Sequence, residues 1–192
     1  MTKHICVYCS SSNAIAPEFF ATATELGRLL AEQDWTLVYG GGKVGLMGAL
    51  ARSVHQHGGR VIGVIPEALR IKEVAYEAAD ELIITQTMQQ RKAILADRAD
   101  AFIGLPGGFG TLEEFFETLT AKQLGFHQKP IVLLNSENFF QPLLALFEHL
   151  YQGRFARPDN RFLYRVIAQA DEVIDHLKAN HISHIQPKWD SQ

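Results

Sequence analysis

The stretch Asp100-Ala101-Phe102-Ile103-Gly104-Leu105-Pro106-Gly107-Gly108-Phe109-Gly110-Thr111-Leu112-Glu113-Glu114 joins an apolar run, a glycine-rich turn and the start of an amphipathic segment. Residues 100–105 read as a strand buried on both faces, and 111–124 carry helical spacing. The same unit recurs along the chain. Strands are expected at 5–8, 35–39, 60–65, 82–84, 131–134 and near 166–167. Helices are expected at 17–33, 44–56, 88–96, 139–151 and 171–179. Pro17 suits a first helical turn, Gly58-Gly59 closes a helix, and Pro66 stops a strand. Short apolar strands alternating with helices specify a single Rossmann-like α/β domain, a doubly wound, mostly parallel sheet flanked by helices. That domain is expected over 1–180, with a polar tail at 181–192. Ligands bind such sheets beyond the carboxyl ends of the strands, where both glycine-rich segments fall.

Composition narrows the function. The chain has 192 residues, with 18 Lys and Arg against 21 Asp and Glu, a formal net charge of −3. A phosphate backbone demands a basic face, so nucleic acid is not the expected partner. No apolar stretch approaches the ~20 residues of a membrane span, and the N-terminus lacks the long apolar core of a signal peptide. The cytoplasm is the expected compartment. The two cysteines, Cys6 and Cys9, are too few for a disulfide scaffold. Three apart on a strand, they point to opposite faces and read as buried thiols rather than a redox pair. No second Cys-x-x-Cys completes a zinc site. His176, His181 and His184 lack the i, i+4 spacing of a helical metal pair, so no metal is expected. His55 and His57 flank a helix end that favours a cation.

Two loops carry the chemistry. Gly40-Gly41-Gly42-Lys43-Val44-Gly45-Leu46-Met47-Gly48 contains a literal G-x-G-x-x-G after a strand and before a helix. It invites a dinucleotide reading, yet it follows the second strand, and Glu67 lies past a proline, a poor place for a ribose-binding acid. Lys43 lacks the Ser or Thr that would make a Walker loop. Phosphate contact through Gly41 and Gly42 stays open beside the plain reading, a tight turn with close packing. The second loop leaves backbone N–H groups free at a helix start, an anion site. Against this, Thr111-Leu112-Glu113-Glu114 matches a capping box, in which Glu114 only closes the helix and Glu113 and Glu117 are solvated acids. A bound phosphate beside those carboxylates requires a cation, and Arg91 and Lys92 are the candidates.

The segment 106–114 closely resembles the PGGxGTxxE signature of the LOG (Lonely Guy) family of phosphoribohydrolases, which release cytokinin bases from nucleoside 5′-monophosphates. Cys9-Ser10-Ser11-Ser12, the loop 40–48, Lys72-Glu73-Val74-Ala75, Met88-Gln89-Gln90-Arg91-Lys92, Gln123-Leu124-Gly125 and Lys129-Pro130 also resemble the family's pattern. The resemblance implies Arg91 and Glu114 as the catalytic pair, with Gly107, Gly108, Gly110 and Thr111 holding phosphate. It further implies substrate contacts at Glu73, Lys92, Glu113 and Thr120. One departure is Gln89-Gln90 where the family has His and Glu. The implied reaction is hydrolysis of the N-glycosidic bond of an N6-modified adenosine 5′-monophosphate, with no cofactor. The implied assembly is a homodimer, to which Phe115-Phe116 and Phe139-Phe140 offer apolar material, although core packing explains most of the four. Alternatives are a purine nucleotide nucleosidase, a non-catalytic nucleotide-binding module and an NAD-dependent oxidoreductase. The label lysine decarboxylase, often given to relatives, fits poorly, because nothing resembles the lysine-containing pocket of a pyridoxal phosphate enzyme.

Overall fold

The computed structural model describes residues 2–73 and 75–179, and for 71–73 the backbone alone. The strands are β1 (His4–Tyr8), β2 (Thr36–Tyr39), β3 (Val61–Pro66), β4 (Glu81–Thr85), β5 (Ala101–Gly104), β6 (Ile131–Leu134) and β7 (Arg165–Ile167). The helices are α1 (Pro17–Glu32), α2 (Gly45–Gln56), α3 (Glu67–Glu73), α4 (Met88–Arg98), α5 (Phe109–Gln123), α6 (Gln141–Gln152) and α7 (Ala170–Lys178). All seven strands run parallel in one sheet, in the order β4-β3-β2-β1-β5-β6-β7. The order reverses between β1 and β5, so the loops after these two strands diverge and leave a crevice between them.

Alternation along the strands builds two cores. Ile5, Val7, Leu37 and Ile103 face α1, α2 and α7. Cys6, Val38, Phe102 and Leu133 face α4, α5 and α6. Cys6 and Cys9 are buried in opposite layers, and burial pushes both thiols well above their ordinary pKa. The thiolate that redox chemistry needs is therefore disfavoured at both.

Three boundaries depart from expectation. Helix α3 follows Pro66 directly, and its seven residues are too short to reveal a period. Helix α6 begins only at Gln141, after a 3₁₀ turn (Ser136–Asn138) in which Glu137 and Asn138 take left-handed backbone angles. Helix α5 begins at Phe109, with Gly108 as its N-cap, two residues ahead of the expected start. Thr111 therefore lies inside the first turn, and the capping-box reading of Glu114 fails. His181, His184 and the rest of the expected tail 181–192 lie outside the described residues.

Candidate active site

The site is built from the ends of β1, β2 and β5 and the starts of α4 and α5. The α5 end is open. Its N-cap, Gly108, makes no side-chain capping bond, and the first helical bond runs from Leu112 N–H to Gly108 O (3.1 Å). A Cβ on Gly107 would stand 2.1 Å from Thr111 Oγ1, so only glycine lets that hydroxyl fold back under the loop. A Cβ on Gly108 or Gly110 would meet nothing within 4 Å. The first-turn N–H groups, which no helix can satisfy internally, thus face unobstructed space under the positive end of the helix dipole.

The glycine loop after β2 works differently. At the start of α2, Gly45 N–H donates to Asn13 Oδ1 (2.9 Å), and Leu46 N–H donates to Ser10 O (2.9 Å). These donors are taken by the protein, so this helix end offers no comparable anion seat and the dinucleotide reading loses its physical basis. Gly41 and Gly42 are buried away from the cleft lining, and Gly41 O accepts Tyr76 N–H (2.9 Å). Gly40 has another task. A Cβ there would lie 2.3 Å from Arg91 Nη2, so the glycine leaves the space the guanidinium occupies.

Arg91 comes from the first turn of α4 and is held on several sides. Its Nε donates to Val64 O (3.0 Å) and its Nη1 donates to Glu114 Oε1, and both side chains of the pair are about one-tenth exposed. Burial outweighs the arginine and raises the Glu114 carboxyl above the usual carboxylate range. Lys92 points outward, with Nζ 2.5 Å from Glu113 and 2.7 Å from Glu117, and those acids raise its pKa. Glu113 and Glu117 are thus exposed acids that pair with Lys92. The Gln89-Gln90 departure is partly explained by α4 itself. Thr87 Oγ1 accepts Gln90 N–H (3.1 Å), and Gln90 Oε1 accepts Gln86 N–H (3.0 Å). Gln90 therefore closes a reciprocal cap that an acid would close equally well.

Arg91 and Glu114 sit at the back of a cleft of about 360 Å³, with Gly108, Gly110 and Thr111 along one wall. Ser10, Met47, Leu69, Met88 and Phe109 also line it, and the sequence reading assigned none of them a role. The signal for Ser10 was its place just after β1, at the reversal point; Leu69 rides on the unforeseen α3. Glu113 lines the cleft edge, whereas Lys92 and the exposed Thr120 are not among its lining residues. The side chain of Glu73 lies outside the described residues. Among the described residues no group of three or more His, Cys, Asp or Glu could hold a metal ion, and no helix is long and apolar enough to cross a membrane. His55 bonds Tyr76 (2.9 Å) and Asp80 (3.0 Å), a tie between α2 and the loop before β4.

Comparison with known proteins shows the family of the chain. The family described as "possible lysine decarboxylase" matches residues 47–177. Cytokinin riboside 5′-monophosphate phosphoribohydrolase LOG of Oryza sativa subsp. japonica is 45% identical over 176 residues, 92% of this chain and 73% of the rice protein. A cytokinin riboside 5′-monophosphate phosphoribohydrolase of Arabidopsis thaliana is 43% identical over 176 residues, 92% of this chain and 81% of that protein. Among solved structures, the molybdenum cofactor carrier protein of Chlamydomonas reinhardtii superposes with a TM-score of 0.72 at 26% identity, covering 93% of this chain and 98% of its own.

Proposed function

Since the chain belongs to the family described as possible lysine decarboxylase, which includes the cytokinin riboside 5′-monophosphate phosphoribohydrolases, we propose that it is a hydrolase of N-glycosyl bonds. It cleaves an N6-modified adenosine 5′-monophosphate to the free base and ribose 5-phosphate. The observation that carries this reading is the buried Arg91–Glu114 pair at the back of a cleft beside the open start of α5.

The 5′-phosphate takes the N–H groups of the first turn of α5 at Gly108, Gly110 and Thr111, which fixes C1′. Cleavage passes through an oxocarbenium-like state, as in glycoside hydrolysis. Arg91 takes up one oxygen of Glu114, and the other makes no hydrogen bond to the protein among the described residues. That oxygen orients the attacking water and faces the developing positive charge. The guanidinium partly counters the burial that raises the Glu114 pKa, and it offsets negative charge on the departing base or the phosphate. The chain acts in the cytoplasm as a homodimer, a reading supported by exposed apolar side chains at Phe116, Phe139 and Leu146.

The test is chromatography of products after incubation with AMP and with N6-isopentenyladenosine monophosphate. Free base and ribose 5-phosphate are expected, faster from the N6-modified nucleotide. A faster reaction with AMP would make the chain a general nucleotide nucleosidase. No free base from either, in folded protein, would leave a nucleotide-binding module.

A further inference from the structure

Glu114 borders two cavities. One is the cleft, which a nucleotide fills from the front. The other, about 160 Å³, runs between α4 and α5 toward their C-termini. Its floor is formed by the buried Tyr8 and Phe102, its walls by Ala93 and Ala121, and its mouth by the more exposed Gln89 and Lys92. At ~30 Å³ per molecule it has room for several waters. Polar partners for them are present. Thr118 Oγ1 donates to Glu114 O (2.9 Å), so the Tyr8 hydroxyl donates to Thr118 (3.0 Å), and its oxygen can accept from a water beside the neighbouring Cys6 thiol. The second carboxylate oxygen of Glu114 makes no hydrogen bond among the described residues either.

Displacement at C1′ puts the incoming oxygen and the departing base on opposite faces of the ribose. The carboxylate that orients water stands on the water's side. The cavity that continues past Glu114, away from the cleft, is therefore on the side of the nucleophile and not of the base. We propose that this cavity holds and delivers the water that attacks C1′; the inference rests on the hydrolase reading above. The water oxygen bonds to C1′ while the C1′–N9 electron pair leaves with the base. One water proton passes to Glu114, and the base takes a proton from solvent. Ala93 and Ala121 are small because larger side chains would close the passage.

The test replaces Ala121→Leu and, separately, Ala93→Leu, and supplies methanol as a competing nucleophile. Ala93 is exposed on α4, so its variant folds even if the tighter Ala121 site does not. The wild type is expected to form methyl ribofuranoside 5-phosphate beside ribose 5-phosphate, because the cavity admits a molecule of that size. In the variants kcat falls about tenfold at unchanged KM, and the methanol-to-water product ratio falls with it. A merely structural defect would lower the rate without moving that ratio. Unchanged kcat and ratio in folded variants would overturn the proposal, as would a wild type that hydrolyses but never accepts methanol. An altered preference between AMP and its N6-isopentenyl derivative, with the ratio unmoved, would assign the cavity to the base instead. A wild type inactive on both nucleotides would overturn the hydrolase reading itself.

Discussion

A methyl group on Gly40 would stand 2.3 Å from Arg91 Nη2, so the smallest possible side chain displaces the guanidinium. Gly40→Ala is expected to lose most turnover while keeping its circular dichroism spectrum. Glu114→Gln keeps the shape of the pair and removes the base, so base release should fall by ~10²–10⁴. Arg91→Ala should abolish turnover and also lower stability by about 3 kcal/mol in denaturant titration, because it strands a buried carboxylate. The pH profile follows from the raised Glu114 pKa. Activity needs the ionised form, so it is lost as pH falls through a value above the usual ~4.3 of a glutamate. That acid limb in kcat should be missing from the residual activity of Glu114→Gln. Arg91, Glu114 and the glycines were legible as residues, because the chemistry of an anion seat leaves few choices of side chain. Whether Glu114 was a cap or a partner of Arg91 was not legible, since the two readings differ only in where α5 starts.

Helices α4 and α5 differ in how their first turns are closed, and this separates their tasks. Helix α4 is capped by Thr87 and Gln90, which rigidly places Arg91 one position later. Gln90→Glu should leave kcat and thermal midpoint essentially unchanged, because glutamate closes the same reciprocal cap. Helix α5 is left uncapped, and Gly110→Ala tests the reason. Alanine is the better helix former by ~1 kcal/mol, so the midpoint should rise slightly. The added methyl would stand in the open space over the first turn, so KM should rise. Farther along α5, Lys122 is buried and pairs with no acid among the described residues, and burial pushes its pKa down to about 8. The folded chain thus disfavours the ammonium. The cost is full below about 8 and fades as pH rises toward the ordinary ~10.4. Lys122→Met should therefore raise stability at neutral pH by about 2 kcal/mol, and the gain should shrink in alkaline buffer. The seven-residue α3 and the late start of α6 escaped the sequence reading for a shared reason. Short helices and left-handed turns at non-glycine residues leave no period to detect.

At the scale of the molecule, the cleft exists because the strand order reverses between β1 and β5. No residue in either loop encodes that reversal; it follows from the handedness of the strand–helix–strand crossovers. Sedimentation should give twice the chain mass of 21.5 kDa if the exposed Phe116 and Leu146 meet a second copy, and a single mass would remove the homodimer from the proposal. By itself the sequence determined the fold class, nearly every strand and long helix, and the family pattern from which Arg91 and Glu114 are proposed as the reacting pair. Apolar periodicity and glycine placement are local properties, and a one-dimensional pattern records them faithfully. Only the tertiary structure decided which glycine loop leaves its helix start open to a ligand. The N–H groups of α2 are answered by Ser10 and Asn13, more than thirty residues away in the chain, whereas the N–H groups of α5 ahead of Leu112 meet no partner among the described residues. It likewise decided that Gly40 makes room for Arg91 and that Glu114 borders a second cavity, because close approach between distant segments is set by packing and leaves no mark on the residues that meet.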